Sequence, residues 1–290
     1  MIANSDFTFA PVPVVAVPAE RVDSIARAQA SLAHLTELVE LAELLHTAEP
    51  YDVPPLECQL PATFKLSIVI PVYNEERTIH EILARVAALA VPKEIVIVDD
   101  CSRDATPELL RELDGVNGVR VVFKPQNEGK GAALRTGFEH ATGDVVVVQD
   151  ADLEYDPRDI LKLLPPLVRG ECDVVYGSRF LHERPHDKSL VHRFGNWLLT
   201  TASNLFTGLR ITDMETCYKA FRRDVIQGLP IRQNRFGFEP EVTAKLARRK
   251  CRVVEVPISY NARSFAEGKK IGVKDLFNAL WCIVRYGIAD

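Results

Sequence analysis

From Leu66 onward, short apolar runs alternate with longer amphipathic stretches. Leu66 to Ile70, Glu94 to Val98, Val119 to Phe123, Asp144 to Gln149, Asp173 to Tyr176 and Val253 to Pro257 are rich in β-branched residues and stop at polar, turn-forming ones. Continuous runs of this kind predict strands buried in a sheet covered on both faces. Thr106-Pro107 predicts a helix start, since Thr caps free amides and Pro is tolerated at the first helical position. Gly129 to Ala141 and Pro157 to Arg169 predict the next two helices, with Asp156 suited to cap the second. Strand and helix in alternation predict an α/β fold with a mostly parallel sheet between helices.

Beyond Gly177 the order is less regular. Phe180 to Lys188 carries no apolar period and predicts a long loop of the kind that gates a site. Leu190 to Phe206 predicts an amphipathic helix, with Leu190, Phe194, Trp197, Leu198 and Leu205 on one side. Phe238 to Arg249 predicts another. Val273 to Ile288 aligns Val273, Leu276, Phe277, Leu280, Trp281, Val284 and Ile288 along one face and is too short to cross a bilayer. Both stripes fit either core packing or a membrane surface.

The N-terminal part has another character. Pro11, Pro13 and Pro18 deny regular structure to residues 1–19. Ala19 to His46 then shows a heptad-like stripe, Ile25, Ala28, Leu32, Leu35, Val39 and Ala42, which fits a helix packed on its own subunit or one pairing with a second copy as a homodimer. Pro50, Pro54, Pro55 and Pro61 mark a linker. The expected organisation is therefore an acidic, partly helical extension over 1–63 and one α/β domain over 64–290.

Composition sharpens this division. A hydrophobic fraction of 47% in 290 residues excludes a largely disordered chain. The formal charge is -5, yet residues 1–63 hold nine acids against Arg21 and Arg27, which leaves the rest mildly basic and suited to phosphorylated ligands. No basic block points to nucleic acid. The six cysteines are widely spaced, without Cys-x-x-Cys or paired histidines, which argues against zinc and for a reduced, cytoplasmic compartment. Neither a signal peptide nor a membrane-spanning run is legible, so membrane contact is expected to be peripheral.

Chemistry gathers where the strands stop, as open α/β sheets use the carboxyl ends of their strands. Asp150-Ala151-Asp152 follows Val145 to Gln149, and an extended backbone would project Asp150, Asp152 and Glu154 to one side. Such oxygen ligands suit Mg2+ or Mn2+ and, through it, a diphosphate. Asn127-Glu128-Gly129-Lys130-Gly131 opens a helix whose amides, dipole and lysine are expected to face a phosphate. Gly177-Ser178-Arg179 delivers a guanidinium at the end of another strand, and Arg193, Arg263, Lys269 and Lys270 are further cationic candidates. Asp213 and Glu239 are available as general bases, which a hydroxyl acceptor requires and a phosphate acceptor does not.

As an ordered set, Pro71-Val72-Tyr73-Asn74-Glu75, Val98-Asp99-Asp100-Cys101-Ser102, Asn127 to Gly131, Asp150-Ala151-Asp152 and Gly177-Ser178-Arg179 resemble the family 2 glycosyltransferases of GT-A fold. The likeness is greatest to the dolichyl-phosphate mannose synthase and polyprenyl-phosphate glycosyltransferase branch. Arg193 to Asn196, Asp213 to Lys219 and Glu267 to Lys270 extend it. The resemblance implies an inverting, metal-dependent hexosyltransferase using a UDP- or GDP-sugar and a polyprenyl phosphate. It implies that Pro71, Tyr73, Glu75, Asp99, Asp100 and Lys130 hold the nucleoside end, with Asp150, Ala151 and Asp152 at the diphosphate. Asp150, Asp152 and Glu154 would ligate Mg2+ or Mn2+, while Arg179, Arg193, Arg263 and Lys270 engage acceptor or leaving-group phosphate. Asp152, Arg179, Arg193 and Asp213 are the expected catalytic residues. Two other readings remain open at this point: transfer to a soluble or protein hydroxyl, and a nucleotide-sugar-binding scaffold without catalysis.

Overall fold

In the computed structural model, residues 51–181, 190–261 and 273–288 are described. The stripe of Ala19 to His46, the Phe180 to Lys188 loop beyond Leu181, and Arg263, Lys269 and Lys270 lie outside them.

The α/β expectation holds. Strands β1 (Leu66–Val72), β2 (Lys93–Asp99), β3 (Val119–Phe123) and β4 (Val145–Val148) alternate with helices α1 (Ile79–Ala87), α2 (Thr106–Leu113) and α3 (Lys130–His140). A 3-10 turn at Pro157–Asp159, helix α4 (Ile160–Val168), strand β5 (Val174–Ser178) and helix α5 (Leu190–Thr207) follow. Strand β6 (Lys219–Arg222), helices α6 (Arg223–Gln227) and α7 (Phe238–Arg248), strand β7 (Val253–Pro257) and helix α8 (Val273–Ile288) complete the order.

Seven strands form one sheet in the order β3-β2-β1-β4-β6-β5-β7. All neighbours run parallel except β6, which is antiparallel to both β4 and β5. The central strands justify the both-faces reading, because every residue of β4 and all of β1 except Pro71 are buried. The outer ones do not: β3 and β7, at the two edges, have one buried residue between them, and Phe123 is 39% exposed. The short pair β6 and α6 has no counterpart among the predicted elements. Four residues, with a charge at each end, are too few to show a period.

Chain order reverses beside β1, with β2 on one side and β4 on the other. The crevice outside the carboxyl ends of β1 and β4 is therefore the topological switch point, where open sheets bind ligands. Close packing brings α3 onto this part of the sheet, since a Cβ on Gly137 would collide with Cγ1 of Val69. The proline-rich segment before β1 lies on the body: Val53, Leu56 and Leu60 pack on the core. Arg158 and Arg169 donate to the carbonyls of Asp52 (3.3 Å) and Glu57 (3.2 Å).

Candidate active site at the carboxyl edge of the sheet

The loops after β1 and β2 are laced together. Ser102 Oγ accepts from the Asn74 amide, Asn74 Oδ1 from the Arg103 amide, and Thr106 Oγ1 from the Glu75 amide at 3.0 Å. Thr106 thus joins two loops instead of capping α2, and Asp104 accepts from the Thr106 amide at that helix start. Asp156 does cap its turn, accepting from the Arg158 amide at 3.0 Å. Pro71, Tyr73 and Glu75 line this rim half-buried, and the Glu75 carboxylate accepts from Thr78 Oγ1 at 2.8 Å.

Asp99 and Asp100 are both buried. Burial pushes the Asp99 carboxyl above its ordinary range, while the Ser102 amide that donates to it opposes the shift. Asp100 accepts from the amides of Glu128 and Gly129 and from Lys124 Nζ at 3.0 Å. Part of the amide cradle expected of the glycine-rich turn is used within the chain. Two of its amides serve Asp100, and the Ala132 amide donates to the Asn234 carbonyl at 3.1 Å. Its glycines admit the 233–235 segment, because a Cβ on Gly131 would strike the Gln233 carbonyl.

What the turn does deliver is Lys130. Its ammonium lies 2.8 and 3.0 Å from the two carboxylate oxygens of Asp150, and 3.9 Å from Glu239 Oε1. Burial works against that charge; the Asp150 carboxylate and, beyond it, Glu239 outweigh burial and hold Lys130 well above the usual lysine range. Gln149, wholly buried, donates to the Asp150 carbonyl and accepts from the Tyr218 hydroxyl, which fixes the backbone where the acid loop begins.

The acid loop corrects the extended-backbone expectation. Residues after Asp150 turn, and Leu153 has φ 60, in the left-handed region. Glu154 accepts from the Tyr260 hydroxyl at 2.8 Å, and its carbonyl accepts from the Asn261 amide at 2.8 Å, so it clasps the 258–261 segment. Among the described residues no three carboxylate, thiol or imidazole groups converge as a closed metal cage. Two carboxylates still fit a divalent ion that takes its remaining oxygens from a bound diphosphate, the usual habit of Mg2+. Asp150 already faces a cation in Lys130.

Arg179 and Asp213 are brought together as an ion pair. Arg179 Nε and Nη2 reach the two oxygens of Asp213 at 2.7 and 2.8 Å, and the Arg179 amide donates to the same group. The guanidinium also lies 5.0 Å from the centroid of Tyr260. Arg193 is exposed on the first turn of α5. Three side chains have no role assigned to them by the sequence, although Glu215 and Lys219 lie in the Asp213 to Lys219 motif. Lys124 follows β3 directly, the same post-strand place that marked Asp99 and Asp150, so its signal was legible. Fully buried Lys219, donating to the carbonyls of Met214 and Thr216, gave no such sign. Nor did Glu215: burial first, then the Glu239 carboxylate, push its carboxyl up to about 8.

Residues 67–229 match the family model "Glycosyl transferase family 2". An undecaprenyl-phosphate 4-deoxy-4-formamido-L-arabinose transferase of Aeromonas hydrophila is 32% identical over 225 residues, covering 76% of this chain and 66% of its own length. A dolichol-phosphate mannosyltransferase of Pyrococcus furiosus is 32% identical over 228 residues, covering 76% and 63%. The chain thus spans somewhat less than two thirds of these relatives. Among solved structures, glucosyl-3-phosphoglycerate synthase from Mycobacterium tuberculosis in complex with UDP superposes with a TM-score of 0.62 at 21% identity, over 79% of this chain and 82% of that one. The same synthase with Mn2+, UDP-glucose and phosphoglyceric acid gives 0.58 at 21% identity, over 79% and 81%. At that identity the likeness shows the fold, which is the GT-A fold. Because the family model covers more than half of the residues, this chain belongs to glycosyl transferase family 2.

Proposed function

We propose that the protein transfers a hexose from a UDP- or GDP-sugar to a polyprenyl phosphate by direct displacement with inversion. One observation carries the reading: two carboxylates, Asp150 and Asp152, stand at the carboxyl end of β4 beside the switch point, with Lys130 seated against the first. Asp150 and Asp152 would hold Mg2+ or Mn2+, as the related fold holds Mn2+ with its nucleotide sugar. When bound, such an ion supplies Lewis-acid neutralisation of the leaving diphosphate. Lys130 adds a second positive charge there, and the rim around Pro71, Tyr73, Glu75, Asp99 and Asp100 is the place for the nucleoside. Catalysis rests on positioning and charge stabilisation.

The acceptor in this reading is a phosphate. Asp213 is paired with Arg179. A phosphate monoester, with a second pKa near ~6, is largely ionised at neutral pH and asks for no proton to be taken. Arg179, Arg193, Arg263 and Lys270 are our assignments for its phosphate. A lipid phosphate also calls for a membrane surface. Phe194, Trp197 and Leu205 on α5 and Phe277, Trp281 and Ile288 on the adjoining α8 are exposed, Leu205 at 82%. Both tryptophans of the chain are among them, and exposed apolar patches of this kind suit the lipid headgroup boundary. No described helix is long and apolar enough to cross a membrane.

The test is partition of label. UDP- and GDP-hexoses carrying a radiolabelled sugar are incubated with the protein, Mn2+, polyprenyl phosphate in vesicles, and a soluble hydroxyl acceptor. The account expects label in the organic phase, dependent on the lipid phosphate. Label confined to a water-soluble product, or no transfer from any donor, would overturn it.

A further inference from the structure

Three buried side-chain oxygens have no hydrogen-bond partner among the described residues: Glu239 Oε2, Glu215 Oε1 and Asn196 Oδ1. Glu239 Oε2 and Asn196 Oδ1 are acceptor atoms, and buried polar groups are otherwise paired as a rule. The contrast within one helix is sharp. Glu241, two residues beyond Glu239 on α7, accepts from the amides of Arg232 and Gln233 and from Lys245 Nζ at 2.7 Å. Glu239 is only 5% exposed, and its other oxygen is 3.9 Å from Lys130.

Glu215 and Glu239 feel each other's charge. Asn196 sits one turn before Thr200, whose hydroxyl accepts from the Met214 amide at 3.1 Å. Glu239 connects through Lys130 to Asp150, so it borders the ground assigned above to the diphosphate.

We infer that Glu239, with Glu215 near it, recognises the transferred sugar by accepting hydrogen bonds from its hydroxyl or N–H groups. This rests on the nucleotide-sugar reading of the site. Phosphate oxygens bring no donor and repel a carboxylate, whereas a sugar attached to the distal phosphate is rich in donors and lies next to the diphosphate. Because the site is acceptor-rich, a sugar lacking the matching donor leaves a buried carboxylate oxygen unpaired and is rejected.

The test separates sugar from nucleotide. Affinities of UDP, UDP-glucose, GDP and GDP-mannose are measured by calorimetry with Mn2+, for the full chain and for Glu239→Gln. For the base that the wild type prefers, the sugar should improve affinity by about tenfold or more, and Glu239→Gln should abolish that gain while leaving nucleoside-diphosphate affinity within about twofold. Glu215→Gln should reduce the gain to a lesser extent. Donors with a single hydroxyl replaced by hydrogen, tested on the wild type, give the same answer without a mutation: at least one should bind about tenfold more weakly. A sugar gain kept in full by Glu239→Gln, or deoxy donors that all bind like the parent, would overturn the inference. If the wild type binds none of the four nucleotides, the functional reading itself falls, a result distinct from failure of the sugar contact.

Discussion

The two edges of this sheet treat the same side chain in opposite ways. At the amino edge, Glu94 on β2 pairs with Lys65 at 2.7 Å, accepts from the Ser67 and Thr142 hydroxyls, and takes the Thr142 and Gly143 amides. Although burial alone would raise its pKa, those partners bring it down to about 2. At the carboxyl edge, Glu215 is pushed up to about 8 by burial and by Glu239, and each of these two glutamates keeps an oxygen without a partner. A carboxylate enclosed by its own chain's donors fastens strands together. One buried without them is costly to the fold and suited to a ligand, the usual position of groups that serve function at the expense of stability.

The largest expected effect lies at the carboxyl edge. Asp152→Asn should lower turnover on the order of a thousandfold, the scale of losing one stabiliser of developing charge, with the thermal midpoint nearly unchanged. Steady-state kinetics and a melting curve together check it. Next comes Asp213→Asn, which leaves the Arg179 guanidinium buried beside a neutral group and should cost about 3–5 kcal/mol in urea unfolding. It would show that a carboxyl-edge carboxylate can be structural when its partner is built in.

The amino edge should respond in stability alone. Glu94→Gln is expected to cost about 1–3 kcal/mol at neutral pH without changing turnover per folded molecule. The acid limb gives the sign. Glu94 has a folded pKa below its ordinary 4.5, so its stabilisation is present above that value and is lost as pH falls toward about 2. The variant should be less sensitive to acid over that window. Glu215 has the reverse slope: its folded pKa lies above 4.5, so stability declines as pH rises from there through about 8, and Glu215→Gln should flatten this decline. The smallest effect is Tyr260→Phe, which removes the donor to Glu154 and should cost about 1 kcal/mol. Equal loss of turnover from Glu94→Gln and Asp152→Asn would erase the distinction between the edges.

The sheet was legible because parallel strands buried on both faces need uninterrupted β-branched runs, and β1, β2 and β4 have them. The antiparallel β6 was not, since its place depends on β4 and β5 being already in position. In the site, Asp150 and Lys130 were legible from their posts after strands. The turn at Leu153 was hidden because a non-glycine residue with positive φ carries no mark in the sequence, and Glu154, the next residue, meets Tyr260. The unpartnered oxygens of Glu215 and Glu239 exist only once α7 packs against the sheet, so no local pattern announces them.

The central claim is that Asp150 and Asp152 join a divalent ion to a nucleotide sugar. Paramagnetic resonance of free Mn2+, titrated with the protein and its preferred nucleotide sugar, measures this directly. The account predicts that the wild type withdraws Mn2+ from solution when the nucleotide is present and that Asp152→Asn loses most of that binding. Equal Mn2+ uptake by the two proteins in the presence of nucleotide would contradict it.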